Sequence, residues 1–328
     1  MAVYTKITQT DLSNHLKTNY EIGDLITFEE IVDGVDNSNF IIHTENQKYI
    51  FTIFESRINK DDLPFFINFK EHLFLNEIAC PKPIRTKSGQ VILDFYGKKS
   101  IIVSFLNGKT LKPKDDGFYY NISANKCALI GNNLAKIHLA SIKFSQSKTN
   151  DLNIFGIEKL FLKFQNHLES YDPSLLKIIP KQIEFVKSRW NSSLPSAPCH
   201  LDLFPDNVFF NDDESFAGVI DFYFSANDLL VYDFAIVANA WCFDKTIFNT
   251  EKFANLLNSY QKIRRFNIDE LKFMQTAFIM ASLRFLCTRL HDYFFTPKDS
   301  FVKVKNPNEY KEKLLFFINN KILNNDII

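Results

Sequence analysis

Four polar side chains in one short segment have the types and spacing needed for phosphoryl transfer. Residues 199–224 read CHLDLFPDNVFFNDDESFAGVIDFYF and contain His200, Asp202 and Asn207 in the order H-x-D-x-x-x-x-N. This spacing is typical of a catalytic loop in which the aspartate accepts a hydroxyl proton and the asparagine binds a metal ion. Asp221 follows at the end of an apolar run. An amide oxygen and a carboxylate suit a hard cation such as Mg²⁺, which also takes oxygens from substrate phosphates.

The residues between Asn207 and Asp221 indicate a β-hairpin. Val208–Phe210 and Ala217–Ile220 are short apolar runs, and the sequence NDDES between them favours a turn. Folding the hairpin about its middle places position 207 opposite position 221, and paired residues on neighbouring strands lie about 4.5–5.5 Å apart at Cα. The alternative is a chance pattern in a chain rich in Asn and Asp, with Asp221 as a simple turn residue. The hairpin is a separate requirement, and its presence favours phosphoryl transfer.

The composition is that of an ordinary globular protein and disfavours several classes of partner. The 328-residue chain is 46% hydrophobic and 23% charged. Lys+Arg and Asp+Glu both total 38, so no overall basic charge would attract nucleic acid or an anionic membrane. The N-terminal sequence has no signal-peptide core, and no apolar run is long enough to span a membrane. We therefore expect a cytoplasmic protein without nucleic-acid or membrane partners, and its oligomeric state is left open.

The five cysteines are expected to be small buried apolar side chains in a reducing compartment. They are scattered and include no C-x-x-C pair, which disfavours a disulfide framework or a zinc site. Cys199 precedes His200, so a Cys/His nucleophilic pair is the alternative. Adjacent residues of an extended segment point to opposite faces, and this geometry disfavours the pair.

The hydrophobic pattern predicts strands first and helices afterwards. In the first third we expect a helix at 10–19, strands at 25–32, 39–44 and 49–55, a helix at 61–76, and a hairpin formed by 91–95 and 100–106. From residue 123 the pattern becomes helical, with helices expected at 123–140, 157–169, 174–190, 228–243, 250–263, 268–291 and 308–322.

This order of elements predicts an α+β protein with a bilobal, protein-kinase-like fold. Residues 1–107 would form a small β-rich lobe that binds the nucleotide. Residues 108–328 would form a larger helical lobe that carries the catalytic and substrate-binding groups. The boundary is placed at Asn107 and Gly108, directly after the last predicted strand of the small lobe.

The segment 34–39 joins the first two predicted strands, where a kinase places its phosphate-covering loop. It contains one glycine, Gly34, instead of the pattern G-x-G-x-x-G. Backbone N–H groups of a tight turn, with the side chains of Asn37, Ser38 and Asn39, would hydrogen-bond phosphate oxygens. An ordinary β-turn explains the same segment equally well.

The third predicted strand lacks the basic residue that a kinase uses to bind nucleotide phosphates. Thr52 stands at the expected lysine position. Lys48 and Arg57 flank the strand, but such residues are more typically solvated surface charges. The sequence therefore leaves the source of this positive charge open.

Two groups near the catalytic segment are expected to support it. Asp233 begins an apolar stretch, so it is predicted to cap a helix and also to accept backbone N–H bonds from the catalytic loop. His200, inside the loop, is expected to hold the loop in shape. His138 lies on the apolar face of a predicted helix, where a packed and hydrogen-bonded structural role is favoured over catalysis.

Arg284 and Arg289 lie in a strongly apolar predicted helix. A guanidinium in such surroundings is costly unless it is paired, so ion pairing to an internal carboxylate is the first expectation. Binding of a substrate carboxylate is the second.

The chain resembles the aminoglycoside phosphotransferase-like superfamily of small-molecule kinases. The segments that carry this resemblance are HLD at 200–202 with Asn207, VIDF at 219–222, Asp228 with DFA at 233–235, and LAKIH at 134–138. Within the superfamily, the chain is similar to the homoserine kinases of this fold, in segments 1–5, 34–40, 51–55, 62–66, 220–224, 239–244, 283–285 and 288–292. These kinases also lack the third-strand lysine, so Thr52 fits the narrower family.

The resemblance implies ATP-dependent phosphorylation of the hydroxyl of L-homoserine, on the route to threonine. Asp202 would orient that hydroxyl and accept its proton, while Asn207 and Asp221 would hold Mg²⁺. The segment 34–39 would cover the phosphates, and backbone groups around Phe105 would hold the adenine. This chemistry consists mostly of positioning and electrostatic stabilisation, so few side chains are indispensable.

Two alternatives remain at the level of the sequence. The acceptor could be another small alcohol, such as choline, a sugar or an antibiotic, because fold and phosphate chemistry do not specify the acceptor. A non-catalytic kinase-like binding protein is the other alternative, which the presence of both Asp202 and Asp221 disfavours.

Overall fold

The computed structural model describes residues 5–31, 37–55, 58–297 and 304–323. They fall into two compact units, one within residues 1–107 and 217–223, the other within residues 108–216 and 224–328. No helix in the described part of the chain is long and apolar enough to cross a membrane.

The first unit is built around a five-stranded antiparallel sheet. Its helices are α1 (Gln9–Asn19) and α2 (Leu63–Leu75), and its strands are β1 (Leu25–Ile31), β2 (Asn37–Thr44), β3 (Lys48–Phe54), β4 (Leu93–Phe95) and β5 (Lys98–Ser104). The strand order is β1-β2-β3-β5-β4. The register places Asn39 opposite Thr52 and Tyr49 opposite Ser104.

Apolar side chains on one face of this sheet form a core with α1. The rings of Phe51 and Phe95 meet edge to face with centroids 5.3 Å apart, and Phe40 lies 6.2 Å from Phe51. Leu12 and Leu16 of α1 are buried in the same cluster. Such aromatic pairs add specific geometry to the free energy of apolar burial.

The second unit is mainly helical. Its helices are α3 (Ala124–Ser141), α4 (Ile154–Phe164), α5 (Leu168–Tyr171), α6 (Leu175–Arg189), α7 (Leu230–Trp241), α8 (Thr250–Ile263), α9 (Ile268–Phe295) and α10 (Asn308–Asn319). Every residue of α7 is buried, and α9 packs against α4, α6, α7 and α10. Helix α3 packs closely on α8: a Cβ added at Gly131 would lie 2.2 Å from the carbonyl oxygen of Leu256, so this helix contact requires glycine.

Short strands accompany these helices. They are β6 (Lys109–Thr110), β7 (Ser196–Cys199), β8 (Val208–Phe210), β10 (Ala226–Leu229), β11 (Phe243–Asp244) and β12 (Ile247–Phe248). Strand β9 (Phe216–Val219) follows β8 in the chain, and its residues 217–219 belong to the first unit. Within the second unit β6 pairs with β8, β7 with β10 and β11 with β12, all antiparallel. Strands β8 and β9 confirm the two apolar runs that the sequence predicts on either side of the turn, although β9 begins and ends one residue earlier.

Helix ends follow local capping chemistry. The predicted helix 250–263 has the observed bounds, because the Asn249 side chain caps its first turn. Helix α9 begins as predicted, with a capping box between Asn267 and Glu270, but continues to Phe295. Helix α4 begins three residues before its predicted start, because Asn153 accepts N–H bonds from Phe155 and Gly156.

Candidate active site

The catalytic loop contains a residue in an unusual backbone conformation. Leu201 has a φ of 60°, in the left-handed region that costs free energy for a residue with a Cβ. Its N–H donates to Oδ1 of Asp233 at 2.8 Å, and its carbonyl oxygen accepts from Arg284 at 2.7 Å. Hydrogen bonds to both the N–H and the carbonyl oxygen of Leu201 therefore stabilise this conformation directly before Asp202.

Asp233 holds the loop through its carboxylate. Oδ2 accepts the N–H of His200 at 3.2 Å and lies 3.0 Å from Nε2 of His138. Burial acts to raise the pKa of Asp233, but the His138 hydrogen bond and nearby positive charge bring it below its ordinary value. The expected support of the loop is confirmed, whereas the expected helix cap is wrong: α7 begins at Leu230, so Asp233 lies inside it.

His138 has the structural role that the sequence favours. It is fully buried, and its Nδ1 lies 2.7 Å from the hydroxyl of Tyr260. Cys199, His138 and Asp233 offer three potential metal ligands within 4.8 Å of one another. Burial raises the pKa of the Cys199 thiol, whose Sγ donates to the carbonyl oxygen of Asp228. Because both ring nitrogens of His138 are engaged and the thiol favours its protonated form, we interpret the group as a hydrogen-bond network.

Asp202 and Asn207 are brought together by the loop itself. Nδ2 of Asn207 donates to the backbone oxygen of Asp202 at 2.8 Å and approaches its carboxylate at 3.3 Å. The N–H of Asp202 donates to Nδ1 of His200 at 3.3 Å, so His200 shapes the loop as expected. Trp241 fixes the next turn by donating to the carbonyl oxygen of Leu203 at 2.8 Å.

Asp221 belongs to the first unit and also has a strained backbone. Its φ is 63°, and its Oδ1 approaches the N–H of Tyr223 at 3.5 Å. The following residue, Phe222, is fully buried and packs edge to face on Phe69 of α2 at 6.0 Å. Aromatic packing against α2 thus fixes the residues that follow Asp221. The pairing of position 207 with position 221 stays a prediction from the sequence.

The second half of the expected phosphate loop, Asn37 to Asn39, is the start of strand β2 and is hydrogen-bonded within the sheet, so the expectation of a loop up to residue 39 is wrong. Gly34 lies outside the described residues. Ser38 is fully buried, and its hydroxyl donates to Glu55 at 2.7 Å. Asn37 accepts the N–H of Glu55 at 3.4 Å, and Asn39 accepts from the Thr52 hydroxyl at 2.8 Å. These contacts give Asn37, Ser38 and Asn39 structural roles, and their contacts with phosphate stay predictions.

Glu55 is the centre of a polar cluster in the first unit. Its carboxylate pairs with Lys98 and accepts from the hydroxyls of Thr5 and Ser38. Lys98 also donates to the Thr5 hydroxyl at 2.7 Å. The cluster joins the start of the described chain to β2 and β5. We therefore assign Lys98 a structural role in stabilising the sheet.

Phe105 follows the last strand of the first unit. It is half-buried, and Nζ of Lys48 lies 5.7 Å from its ring centroid. The preceding residue, Ser104, is tied to Lys82 through two bonds of 2.8 Å. These bonds fix the backbone just before Phe105. A fixed backbone suits hydrogen bonding to the adenine, and this contact stays a prediction.

The two arginines of α9 have different partners. Arg289 pairs with Glu309 at 2.6 Å, which confirms the expectation of an internal carboxylate. For Arg284 that expectation is wrong among the described residues: it is 1% exposed and donates to the loop carbonyl of Leu201 instead of a carboxylate, while its Nε has no hydrogen-bond partner there. Neither contact tests binding of a substrate carboxylate.

Two tyrosines near Asp202 were not anticipated from the sequence. Burial raises the pKa of Tyr119, and the carboxylates of Asp206 and Asp202 add to the shift. Burial also raises the pKa of Tyr310, whose hydroxyl has no hydrogen-bond partner in the described chain. Their distance in sequence from the catalytic loop explains why no local pattern reveals them.

Comparison with known proteins identifies the family. The profile of the phosphotransferase enzyme family matches residues 27–266. Curated relatives include the homoserine kinases of Agrobacterium fabrum, 39% identical over 96% of this chain and 95% of that protein, and Bartonella henselae, 41% identical over 97% of both. The chain belongs to the phosphotransferase enzyme family. It is therefore an enzyme that transfers a phosphoryl group to an alcohol.

Solved structures of phosphotransferases share the fold at low sequence identity. A spectinomycin phosphotransferase in complex with ADP and spectinomycin has a TM-score of 0.72 and 15% identity, covering 97% of this chain and 100% of that one. An amicoumacin kinase in complex with AMP-PNP and Ca²⁺ has a TM-score of 0.69 and 12% identity, covering 97% and 95%. The predicted α+β, protein-kinase-like fold class is confirmed.

The donor atoms at the two expected metal-binding positions fit a divalent cation. Asn207 commits its Nδ2 to Asp202, so its amide oxygen is the atom that suits a metal ion. Asp221 offers a carboxylate. Hard oxygen donors of this kind match Mg²⁺ and Ca²⁺ rather than soft transition metals.

Proposed function

We propose that this phosphotransferase uses Mg²⁺ and ATP to phosphorylate the side-chain hydroxyl of L-homoserine, giving O-phospho-L-homoserine. The observation that carries the proposal is the identity of 39–41% with curated homoserine kinases over at least 95% of both chains. A likeness of this length includes the catalytic loop and the helices around it. The structural neighbours support the fold and a nucleotide site, but their acceptors differ.

Each residue of the catalytic loop has a defined task in this proposal. Asp202 orients the homoserine hydroxyl and takes its proton as the phosphoryl group is transferred. Asn207 and Asp221 hold the metal ion, which neutralises charge on the phosphates when it is bound. The strained conformation of Leu201 aims the Asp202 side chain. The Leu201 N–H donates to Asp233 and its carbonyl oxygen accepts from Arg284, and these two bonds stabilise the conformation.

The substrate imposes further requirements, because L-homoserine is a zwitterion. Its carboxylate needs a cation, and its ammonium needs an acidic or carbonyl group. A guanidinium matches a carboxylate with two parallel N–H bonds. We therefore assign the carboxylate to Arg284 or Arg289, the two arginines of α9.

A coupled assay of ADP release tests the proposed acceptor. The purified protein is given Mg²⁺·ATP and one of several alcohols: L-homoserine, L-serine, choline, ethanolamine, a hexose or spectinomycin. We expect kcat/KM for L-homoserine to exceed that for choline, ethanolamine, the hexose and spectinomycin by about 10–100-fold, since each lost charged contact costs about 1.5–3 kcal/mol. L-serine keeps both charges, and its kcat/KM should be about 10–200-fold lower because its side chain is one methylene shorter. A higher kcat/KM for another alcohol would replace homoserine as the acceptor. No ADP release with any alcohol would favour a binding protein.

A further inference from the structure

The first unit lacks a cation at the position where kinases place one on the third strand. Thr52 of β3 is 5% exposed, and its hydroxyl is used in a 2.8 Å bond to Asn39 on the neighbouring strand. The single basic residue of β3 is Lys48, which lies exposed at the start of the strand. Kinases add a side-chain cation to the charge of the metal ion beside the nucleotide phosphates, so in this chain we look for that cation on another element.

Lys70 of α2 is a buried lysine directed at the metal-binding segment. It is 4% exposed. Its Nζ lies 5.9 Å from the ring centroid of Phe222 and 5.2 Å from that of Tyr223, the two residues that follow Asp221. These ring contacts place the ammonium beside the segment that contains Asp221. All these residues belong to the first unit.

An ammonium in this position is costly for the fold. Burial lowers the pKa of Lys70, because the charged form loses its hydration in the core. The aromatic faces offset part of the desolvation, but an apolar side chain such as methionine would fill the site without this cost. The charge therefore needs a reason beyond packing.

We propose that Lys70 binds the phosphates of the nucleotide and replaces the lysine that β3 lacks. The inference rests on the proposed function, because it requires a kinase that binds ATP. A metal ion held by Asp221 would also bind phosphate oxygens. A cation that packs on the two residues after Asp221 is therefore close to those oxygens. In this chain a helix supplies the charge, and the rings of Phe222 and Tyr223 position it before the nucleotide arrives.

Equilibrium titration without an acceptor tests the inference. ATP and adenosine are each titrated into the wild-type protein, Lys70→Met and Lys70→Arg by calorimetry in EDTA, so that no metal contributes. Lys70→Met should raise Kd for ATP about 10–100-fold, the range for loss of a charged hydrogen bond. It should change Kd for adenosine less than about 2-fold, because adenosine carries no phosphate. Lys70→Arg should recover most of the ATP affinity, since it restores the positive charge.

Lys126→Met is the matched control. Lys126 is 5% exposed, lies 5.5 Å from the ring centroid of Phe210 and pairs with Glu214 in the second unit. It has the same burial and the same kind of aromatic neighbour as Lys70, without a nearby metal-binding carboxylate. Its replacement should leave both dissociation constants unchanged.

Three results would overturn the inference. Equal losses of ATP and adenosine affinity in Lys70→Met would mean that the lysine supports the fold. An unchanged Kd for ATP in that variant would place the phosphate cation elsewhere. If the wild-type protein in EDTA bound ATP no more tightly than adenosine, the phosphates would add no affinity, and no side-chain cation would bind them. The titration contains no acceptor, so its result does not depend on whether homoserine is the substrate. Failure of the proposed acceptor and failure of the Lys70 inference can therefore be distinguished.

Discussion

At the scale of single residues, Asp202 carries the chemistry that we assign to the catalytic loop. Asp202→Asn should lower kcat about 10²–10⁴-fold, the usual loss when a general base is removed. Nucleotide affinity should persist, because the amide keeps the shape of the side chain. Steady-state turnover and direct titration of nucleotide separate the two effects.

The control for this substitution is Asp212→Asn. Asp212 is exposed in the turn after β8 and pairs with Lys109 at 2.9 Å, so its replacement should leave kcat unchanged. An Asp202→Asn protein that keeps more than half of the wild-type kcat would remove Asp202 from the catalytic role.

Single residues also mark the limit of what the sequence reveals. The spacing of His200, Asp202 and Asn207 is local, so the chain itself identifies the loop. The φ of 60° at Leu201 leaves no such mark, because a leucine does not signal a left-handed conformation. Arg284, which holds that backbone, lies 83 residues away. Neither the backbone angle of Leu201 nor its bond to Arg284 could therefore be predicted from a local sequence pattern.

At the scale of elements, α9 carries both Arg284, which holds the catalytic loop, and the arginine that we propose binds the homoserine carboxylate. Replacing the arginine that binds the homoserine carboxylate by methionine should raise KM for homoserine about 10–100-fold. KM for ATP should barely change. For Arg284→Met we also expect a lower melting temperature, since the carbonyl of Leu201 and the strained loop would lose their partner.

The two arginines serve as controls for each other. Glu309 retains its bond to Lys313 when Arg289 is replaced, so Arg289→Met leaves this carboxylate paired. If both methionine variants fold and keep the wild-type KM for homoserine, the arginines are structural and another group binds the carboxylate.

Elements differ in how well the sequence predicts them. Long amphipathic helices and the first three strands were found because their periodicity extends over several turns or pairs. Strands β7 and β10 were missed, since four residues give too little alternation and β7 contains Pro198. They hold the catalytic loop at its start, where Ala226 pairs with Cys199.

At the scale of the whole molecule, a buried carboxyl should make stability depend on pH. Burial raises the pKa of Asp228 from 3.8 to about 6 despite the hydrogen bond from Asn150. The folded protein therefore binds this proton more tightly than the unfolded chain, and stability falls as pH rises from about 4 to above 6. The fall is about 2–3 kcal/mol, since one pKa unit corresponds to about 1.4 kcal/mol.

Asp228→Asn isolates this contribution. We subtract the unfolding free energy of the variant from that of the wild-type protein, both measured by urea denaturation. This value should fall by about 2–3 kcal/mol between pH 4 and pH 7, because only the wild-type protein loses the Asp228 contribution. A difference that is constant with pH would mean that the Asp228 carboxyl titrates normally in the folded protein.

The order of strands and helices was enough to predict the fold class, because strands dominate the first third of the chain and helices the rest. The acceptor is a different matter. Small-molecule kinases of one fold act on unlike alcohols, so physical reasoning from the sequence stops at phosphoryl transfer and similarity to homoserine kinases carries the rest.

Identification of the product tests the central claim most directly. The purified protein is incubated with Mg²⁺, ATP and L-homoserine, and the amino acid is examined by ³¹P and ¹H NMR. We predict a phosphate monoester whose phosphorus couples to the protons of the side-chain CH₂O group, formed in equal amount to ADP. Formation of ADP with free phosphate, or recovery of unmodified L-homoserine, would contradict the account.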